Sequence, residues 1–429
     1  MNEERMFILK MVEEGKITAA EAAALLDALG DERDDEEERR ERARRPGSDL
    51  AAQISEAIQA ALRSVPNITE DVRESWNEVR KDLVQSLREM REEMKKKKLI
   101  DLSGLSHLVS HMREVGFGPA HEFEERFSGS FDAAGVPDVE LISKNGSLTV
   151  IGWEQPSYEV VVRKKVYGRD EEAARRVADE AVVVEKDAFR LKVDGRATGA
   201  VTVSAEVRLP RRQALALAAT TSNGSVLLEG LTLKEGRATT TNGSVRVRSV
   251  SAERLVAATV NGRVEGRSVV AEEAEVSSVN GSIDWDGQAQ RALIKTVNGA
   301  VRCTPSLPAA GADSGHGEWE VRSVNGSVRL LLSPAADVGV SVSASGRLVE
   351  VDDGAHGLRA EREDGPGGAR RQVHAKSPGY EEAPRRLDVC AKTVNGSVRV
   401  ADRRETDRRE KGDERDGAQG GTDADSNDA

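Results

Sequence analysis

TVNGSVRV, residues 393–400, reads as strand, tight turn, strand, and near copies stand at 240–247 (TTNGSVRV) and 323–330 (SVNGSVRL). The two-residue core of the phrase occurs at Asn145–Gly146, Asn223–Gly224, Asn242–Gly243, Asn261–Gly262, Asn280–Gly281, Asn298–Gly299, Asn325–Gly326 and Asn395–Gly396. From Asn223 to Asn298 it recurs every 18 or 19 residues, and Asn325 follows after 27, across PSLPAAGADSGHG. A fixed period near twenty residues marks a stacked-repeat architecture. Each unit continues through one residue, small except at Arg263, to an aliphatic one: Val226, Val245, Val264, Ile283, Val301 and Val328. Stacking would place the same turn and the same core residue in every layer. Glycine supplies positive φ without a Cβ clash, asparagine tolerates the left-handed region, and stacked asparagine side chains can bond along a ladder. This assigns all eight pairs to a structural turn ladder with no chemistry of its own.

The expected fold is mainly β with an α-helical N-terminal region: a right-handed parallel β-solenoid with coils of about 19 residues. The rival is an antiparallel β-meander or sandwich, because Asn-Gly between alternating strands is also the strongest short hairpin signal. The few aromatics and the regular columns of small and aliphatic residues favour the solenoid. Strand-like stretches begin near residue 131 and include EVVVRKKVYG and AVTVSAEVRLP, interrupted by one helix at DEEAARRVADE.

Upstream, the texture is helical. In residues 1–30, Phe7, Ile8, Met11 and Val12 recur at helical spacing, Gly15 ends that helix, and Thr18-Ala-Ala-Glu21 forms a capping box for a second one. Residues 31–49 are a charge run that reads as a solvated linker. Residues 50–118 form an amphipathic helical region. Leu50, Ile54, Ile58 and Leu62 make one stripe. Ile68, Val72, Trp76, Val79, Leu83, Leu87, Met90 and Met94 make a longer one, at steps of 4, 4, 3, 4, 4, 3 and 4. That eleven-residue pattern favours a straight seam over a heptad supercoil. Lys95, Lys96, Lys97 and Lys98 follow; they suit a helix C-terminus and can also meet anionic lipid. Trp76 and these lysines are the candidates for membrane or partner contact. The β-domain is assigned to 119–401, and 402–429, with no large apolar residue, reads as a disordered acidic tail.

The stretches VELISKNGSLTVIGWEQPSYEVVVRKKVYG and RLPRRQALALAATTSNGSV, with the serial NGSV units, resemble the bacterial "putative adhesin" family of domains of unknown function. The resemblance covers about residues 119–400 and implies a β-solenoid without a known reaction. MVEEGKITAAEAAALLDALG is similar to the short SHOCT-like helical module found ahead of such domains. The pairing resembles proteins of the Lia-type cell-envelope stress response, which implies a regulatory or structural role at the envelope.

The chain has 429 residues and a formal net charge of −12, which disfavours a general nucleic-acid partner. Its first residues show no basic segment followed by a long apolar one, and no window approaches a membrane span, so the expected location is the cytoplasm, with membranes reached peripherally or through a partner. Expected partners are a second copy, an envelope-associated protein or an anionic membrane surface.

Signals for chemistry are sparse. Cys303 and Cys390 have no metal-ligand spacing. His107 and His111 lie four apart without a third ligand. Asp284 and Asp286 flank Trp285 and are the acids that a polysaccharide-active β-helix enzyme would use. No phosphate-binding glycine loop and no nucleophile elbow is present. The expectation is a non-enzymatic scaffold without cofactor or metal. The alternatives are an adhesin-like surface protein, that β-helix enzyme, and a polymer stacking solenoid ends.

Overall fold

The computed structural model describes residues 119–403, apart from 133–134, 169, 197–200, 309–314, 334–336, 353–356 and 365–370. The helical module, the charged linker, the amphipathic region with Trp76 and Lys95 to Lys98, the pair His107 and His111, and the acidic tail lie outside the described residues.

Two columns of parallel strands carry the fold. The first runs β2 (Asp138–Asn145), β8 (Leu215–Asn223), β10 (Thr232–Thr240), β12 (Ser251–Thr259), the second halves of β13 (Val264–Ser278) and β14 (Ile283–Asn298), β16 (His316–Asn325), β22 (Arg385–Thr393) and β18 (Val338–Gly346). The second runs β7 (Val201–Pro210), β3 (Leu148–Trp153), β9 (Val226–Glu229), β11 (Val245–Arg248), the first halves of β13 and β14, β15 (Val301–Ser306), β17 (Val328–Leu332), β23 (Ser397–Asp402) and β19 (Leu348–Val351). The antiparallel alternative fails here, because every pairing in both columns is parallel. An Asn-Gly corner joins the columns, and the chain returns to the next layer by a second corner.

In-register stacking builds the core. Leu148, Val226, Val245, Val264, Ile283, Val301, Val328 and Val398 lie one above another and are at most 1% exposed. Each such burial contributes roughly 1.5–3 kcal/mol relative to an exposed side chain. Two residues further on, Gly266 lies between Val247 and Trp285. A Cβ there would strike the indole, so this glycine makes room for the largest core side chain.

The glycines of the Asn-Gly pairs are there for a different reason from the one read in the sequence. Among the described residues, positive φ in those pairs occurs only at Gly146, and at none of the asparagines. The constraint is proximity. A Cβ on Gly224 would overlap the Gly146 carbonyl, one on Gly243 the Gly224 carbonyl, one on Gly262 the Gly243 carbonyl, and so on to Gly396 over Gly326. Left-handed backbone sits at the second corner instead. Gly230 (φ 66°), Ser249 (φ 51°) and Ser268 (φ 53°) occupy it in three successive coils.

Antiparallel ribbons cover both ends. At one end β4 (Ser157–Tyr167) pairs with β7 and with the edge strand β1 (Ala120–Ser130). Lys164, 1% exposed on β4, donates to Glu125 Oε1 at 2.6 Å. Beside them lie α1 (Glu171–Glu180), capped by Asp170, and β5 (Val182–Lys186) against β6 (Arg190–Gly195), which joins β2. At the other end β20 (Arg359–Asp364) and β21 (Arg371–Lys376) extend antiparallel from β18. The alternating charges of β1, Glu122, Glu124 and Arg126 among them, discourage further pairing at that edge.

Two stability measurements check this account. Gly262→Ala forces two carbonyl-bearing corners apart and is expected to cost about 3 kcal/mol. Asn261→Ala removes two partly solvated side-chain bonds and should cost about 1 kcal/mol. Equal shifts in urea midpoint would remove the proximity argument. Conversely, Ser249→Gly relieves a left-handed serine and should raise stability by about 0.5–1 kcal/mol; a loss of stability would contradict the strain at this corner.

Candidate functional site

The asparagines of the eight corners form a continuous ladder. Asn223 Nδ2 donates to Asn145 Oδ1, and each later asparagine donates to the one before it, through Asn242, Asn261, Asn280, Asn298, Asn325 and Asn395, at 2.8–2.9 Å. Beneath it, Thr221, Thr240, Thr259, Ser278, Thr296, Ser323 and Thr393 donate their hydroxyls to the carbonyls of the stacked glycines. Every polar group here has a neighbour of the same kind above or below. The ladder uses its hydrogen bonds internally and offers no convergent site.

Asp284 and Asp286 are likewise consumed. Arg267 grips Asp284 through two bonds, at 3.0 and 2.6 Å, and Arg403 grips Asp286 at 3.3 and 2.9 Å. The bond to Asp284 holds the Arg267 guanidinium above its ordinary range. Trp285, between the two acids, is 1% exposed and belongs to the core. Asp286 and Arg403 line a hollow of about 480 Å³ behind the second corner. Cys303 and Cys390 are free thiols, and burial pushes both upward, so neither is an activated nucleophile. No cluster of His, Cys, Asp and Glu fit for a metal occurs among the described residues.

The feature that offers a surface is a groove of about 610 Å³ on the outer face of the first column. It crosses β12, β13, β14, β16, β22 and β18. Register decides its lining. Arg254, Glu273, Arg291, Glu318 and Asp388 are successive partners, one per layer, so the charge alternates before two acids close the row. The Arg291 guanidinium is bonded to Glu273, which lifts it above its ordinary value. Two residues along each strand runs Glu275, Leu293, Glu320, Cys390 and Ser343.

At the β22 end of the groove, Asp388 accepts from Tyr380 Oη at 2.7 Å and from His316 Nε2 at 2.6 Å. Burial pulls the Asp388 carboxyl up, but the bonds from His316 and Tyr380 outweigh it and leave it below the usual aspartate value. Burial and the bond to Asp388 push the Tyr380 phenol to about 12. Ser343 Oγ and His374 Nδ1 are 3.0 Å apart nearby. This cluster has no signature in the sequence. His316 and Asp388 are 72 residues apart and meet because β22 stacks directly on β16. The long interval from Asn325 to Asn395 was the one available hint that a later coil docks there.

The Tyr380 environment can be titrated. Its folded value of about 12 lies above the unfolded value near 10, so its contribution to stability is intact below about pH 10 and is lost as pH rises toward 12. Asp388→Asn should bring the phenolate absorbance transition part of the way back toward pH 10, since burial remains. An unmoved transition would show that Asp388 does not hold this phenol.

Comparison with known proteins fits the repeated phrase and the capping box. No curated protein matches the chain. Among solved structures, a "putative cell adhesion protein" from Clostridium sporogenes shares 12% identity, covering 66% of this chain and 100% of that one, with a TM-score of 0.25. A "putative adhesin" from Bacteroides fragilis shares 9% identity over 65% of this chain and 97% of that one, with a TM-score of 0.33. Another from Parabacteroides merdae shares 11% identity over 66% and 97%, with a TM-score of 0.31. Residues 186–349 match the family Toastrack DUF4097, and residues 3–34 match a SHOCT-like domain. The chain is therefore similar to a SHOCT-like domain over residues 3–34 and to the Toastrack DUF4097 family over residues 186–349.

Proposed function

We propose that the chain is a non-enzymatic scaffold or regulatory binding protein of the bacterial cell envelope. Its coils form a right-handed solenoid of 19 residues per turn through the central layers. The groove across β12 to β18 is its recognition surface. The observation that carries this reading is the composition of that groove: alternating charge, a hydrogen-bonded His316–Asp388–Tyr380 end, and thiol chemistry disfavoured by burial. Such a lining recognises a polar partner through fixed donors and acceptors. The enzyme alternative loses support because Asp284 and Asp286 are each held by an arginine.

Among the described residues, no helix is long and apolar enough to cross a membrane. In this proposal the region 50–118 supplies self-association or peripheral docking, with Trp76 and Lys95 to Lys98 as the contact. Co-sedimentation of the full chain with vesicles of phosphatidylglycerol and phosphatidylcholine tests the docking. Binding should need the anionic lipid and should fall by several hundredfold when all four lysines become glutamine, each lysine contributing about 1 kcal/mol. Equal binding by the glutamine variant would remove the lysines from the role. A groove variant, Arg254→Glu with Arg291→Glu, should leave vesicle binding unchanged; its loss would mean that the groove, not the lysine run, meets the membrane.

A further inference from the structure

One row of the outer face does not behave as an outer face. Val260, Val279, Val297, Val324 and Val394 stand one per coil, each just after an inward Thr or Ser whose hydroxyl is bonded inside the corner. Strand alternation therefore turns the valines outward. None of the five is part of the hydrophobic core cluster. Yet all five are at most 4% exposed. The neighbouring outward row shares the property: Thr220, Thr239 and Ala258 are 2%, 4% and 3% exposed. That second row runs on through Ser277, Lys295, Arg322 and Lys392, so the apolar row is the valine one. A dry apolar row on the outside of a parallel sheet is a seat for something packed along the stack.

The chain itself narrows the occupant. α1 packs on β1, β4 and β5, away from these rows. The segment beyond residue 403 contains no large apolar residue. Residues 1–118 contain two apolar stripes at helical spacing. The seat runs from Thr220 on β8 to Val394 beyond β22, six strand spacings or about 29 Å. A helix from Ile68 to Met94 is about 39 Å long, whereas one from Leu50 to Leu62 reaches only about 18 Å. The longer stripe also has the eleven-residue pattern that keeps a helix straight, as a straight stack requires. Lys295, Arg322 and Lys392 are register partners beside the valines, Arg322 being bonded to Glu320, and residues 70–93 carry eight acids to five bases, so the net charges are opposite in sign.

We infer that the stripe from Ile68 to Met94 seats in cis on the outward row of Val260, Val279, Val297, Val324 and Val394, along the axis of the stack. Trp76 lies within this stripe and so belongs to the seat rather than to the contact proposed above, whereas Lys95 to Lys98 lie past its end and stay free for that contact. The seat stands independently of what the groove binds.

The test is thiol protection in the full chain. Cys303→Ala and Cys390→Ser remove the native thiols, and Val297→Cys places a reporter in the seat. Its modification rate with a soluble disulfide reagent is measured with and without Leu83→Lys plus Leu87→Lys. The expected result is a rate at least about tenfold higher in the lysine background, as local opening governs access. Equal rates overturn the inference. Protection that vanishes on dilution assigns the seat to a second copy and also overturns it. Val264→Cys, facing the core, must stay unreactive in both backgrounds. If it too opens, the lysines have unfolded the strands, and disulfide trapping decides. Val297→Cys paired with Leu83→Cys or Leu87→Cys should then close an intramolecular bridge, and failure of both to close overturns the inference.

Discussion

The structure depends on how closely one corner can lie on the next. At seven successive junctions, from Gly224 over Gly146 to Gly396 over Gly326, a carbonyl occupies the space that a Cβ would need. That contact fixes the layer spacing on the corner side, and the rest follows from it. Asparagine Nδ2 meets asparagine Oδ1 at 2.8–2.9 Å because the corners are in register. The Thr and Ser hydroxyls reach the glycine carbonyls for the same reason. A single bulky residue at one glycine would open the ladder, the hydroxyl row and the aliphatic column together, so these three are one cooperative unit rather than three independent contributions.

The second corner is looser and shows it. Gly230, Ser249 and Ser268 adopt left-handed backbone, and the equivalent bend between β13 and β14 shifts register between Gly266 and Val269. A corner held by close carbonyl packing tolerates one residue type. A corner held by strand ends tolerates serine at a modest strain, which lets the chain vary there. The hollow beside Asp286 and Arg403 opens at this variable side.

The repeat was legible because stacking writes the same requirement into every coil. Asn-Gly followed by Val226, Val245, Val264 or Ile283 reports register directly, and the parallel columns follow from a period too regular for separate hairpins. The reason for the glycine was not legible. Positive φ and close approach select the same residue, and only coordinates separate them. The groove was invisible for another reason. Arg254, Glu273, Arg291 and Glu318 form a row only after the register shift between Gly266 and Val269 and the long interval from Asn298 to Asn325 are resolved, and a sequence read locally assigns each to an ordinary solvated position. Antiparallel ribbons at β1–β4 and β20–β21 cover the described ends, and the Asn-Gly repeat does not announce them.

Regularity inside and irregularity outside divide the labour of this fold. The interior repeats because each layer must match its neighbours, so it cannot encode a particular ligand. Specificity must come from outward positions, which vary from coil to coil without disturbing the ladder. In the groove those positions alternate in sign, Arg254 and Arg291 against Glu273 and Glu318. With Glu275, Glu320 and Asp388 the lining carries five acids to two arginines, so the groove presents a net negative field to solution, screened over a Debye length of about 8 Å. In the recognition role proposed for it, each rung presents its donor or acceptor at a fixed height, and a partner gains where its own groups repeat in step with the layers. The spacing fixed by the buried glycine corners thus becomes the ruler for whatever lies in the groove.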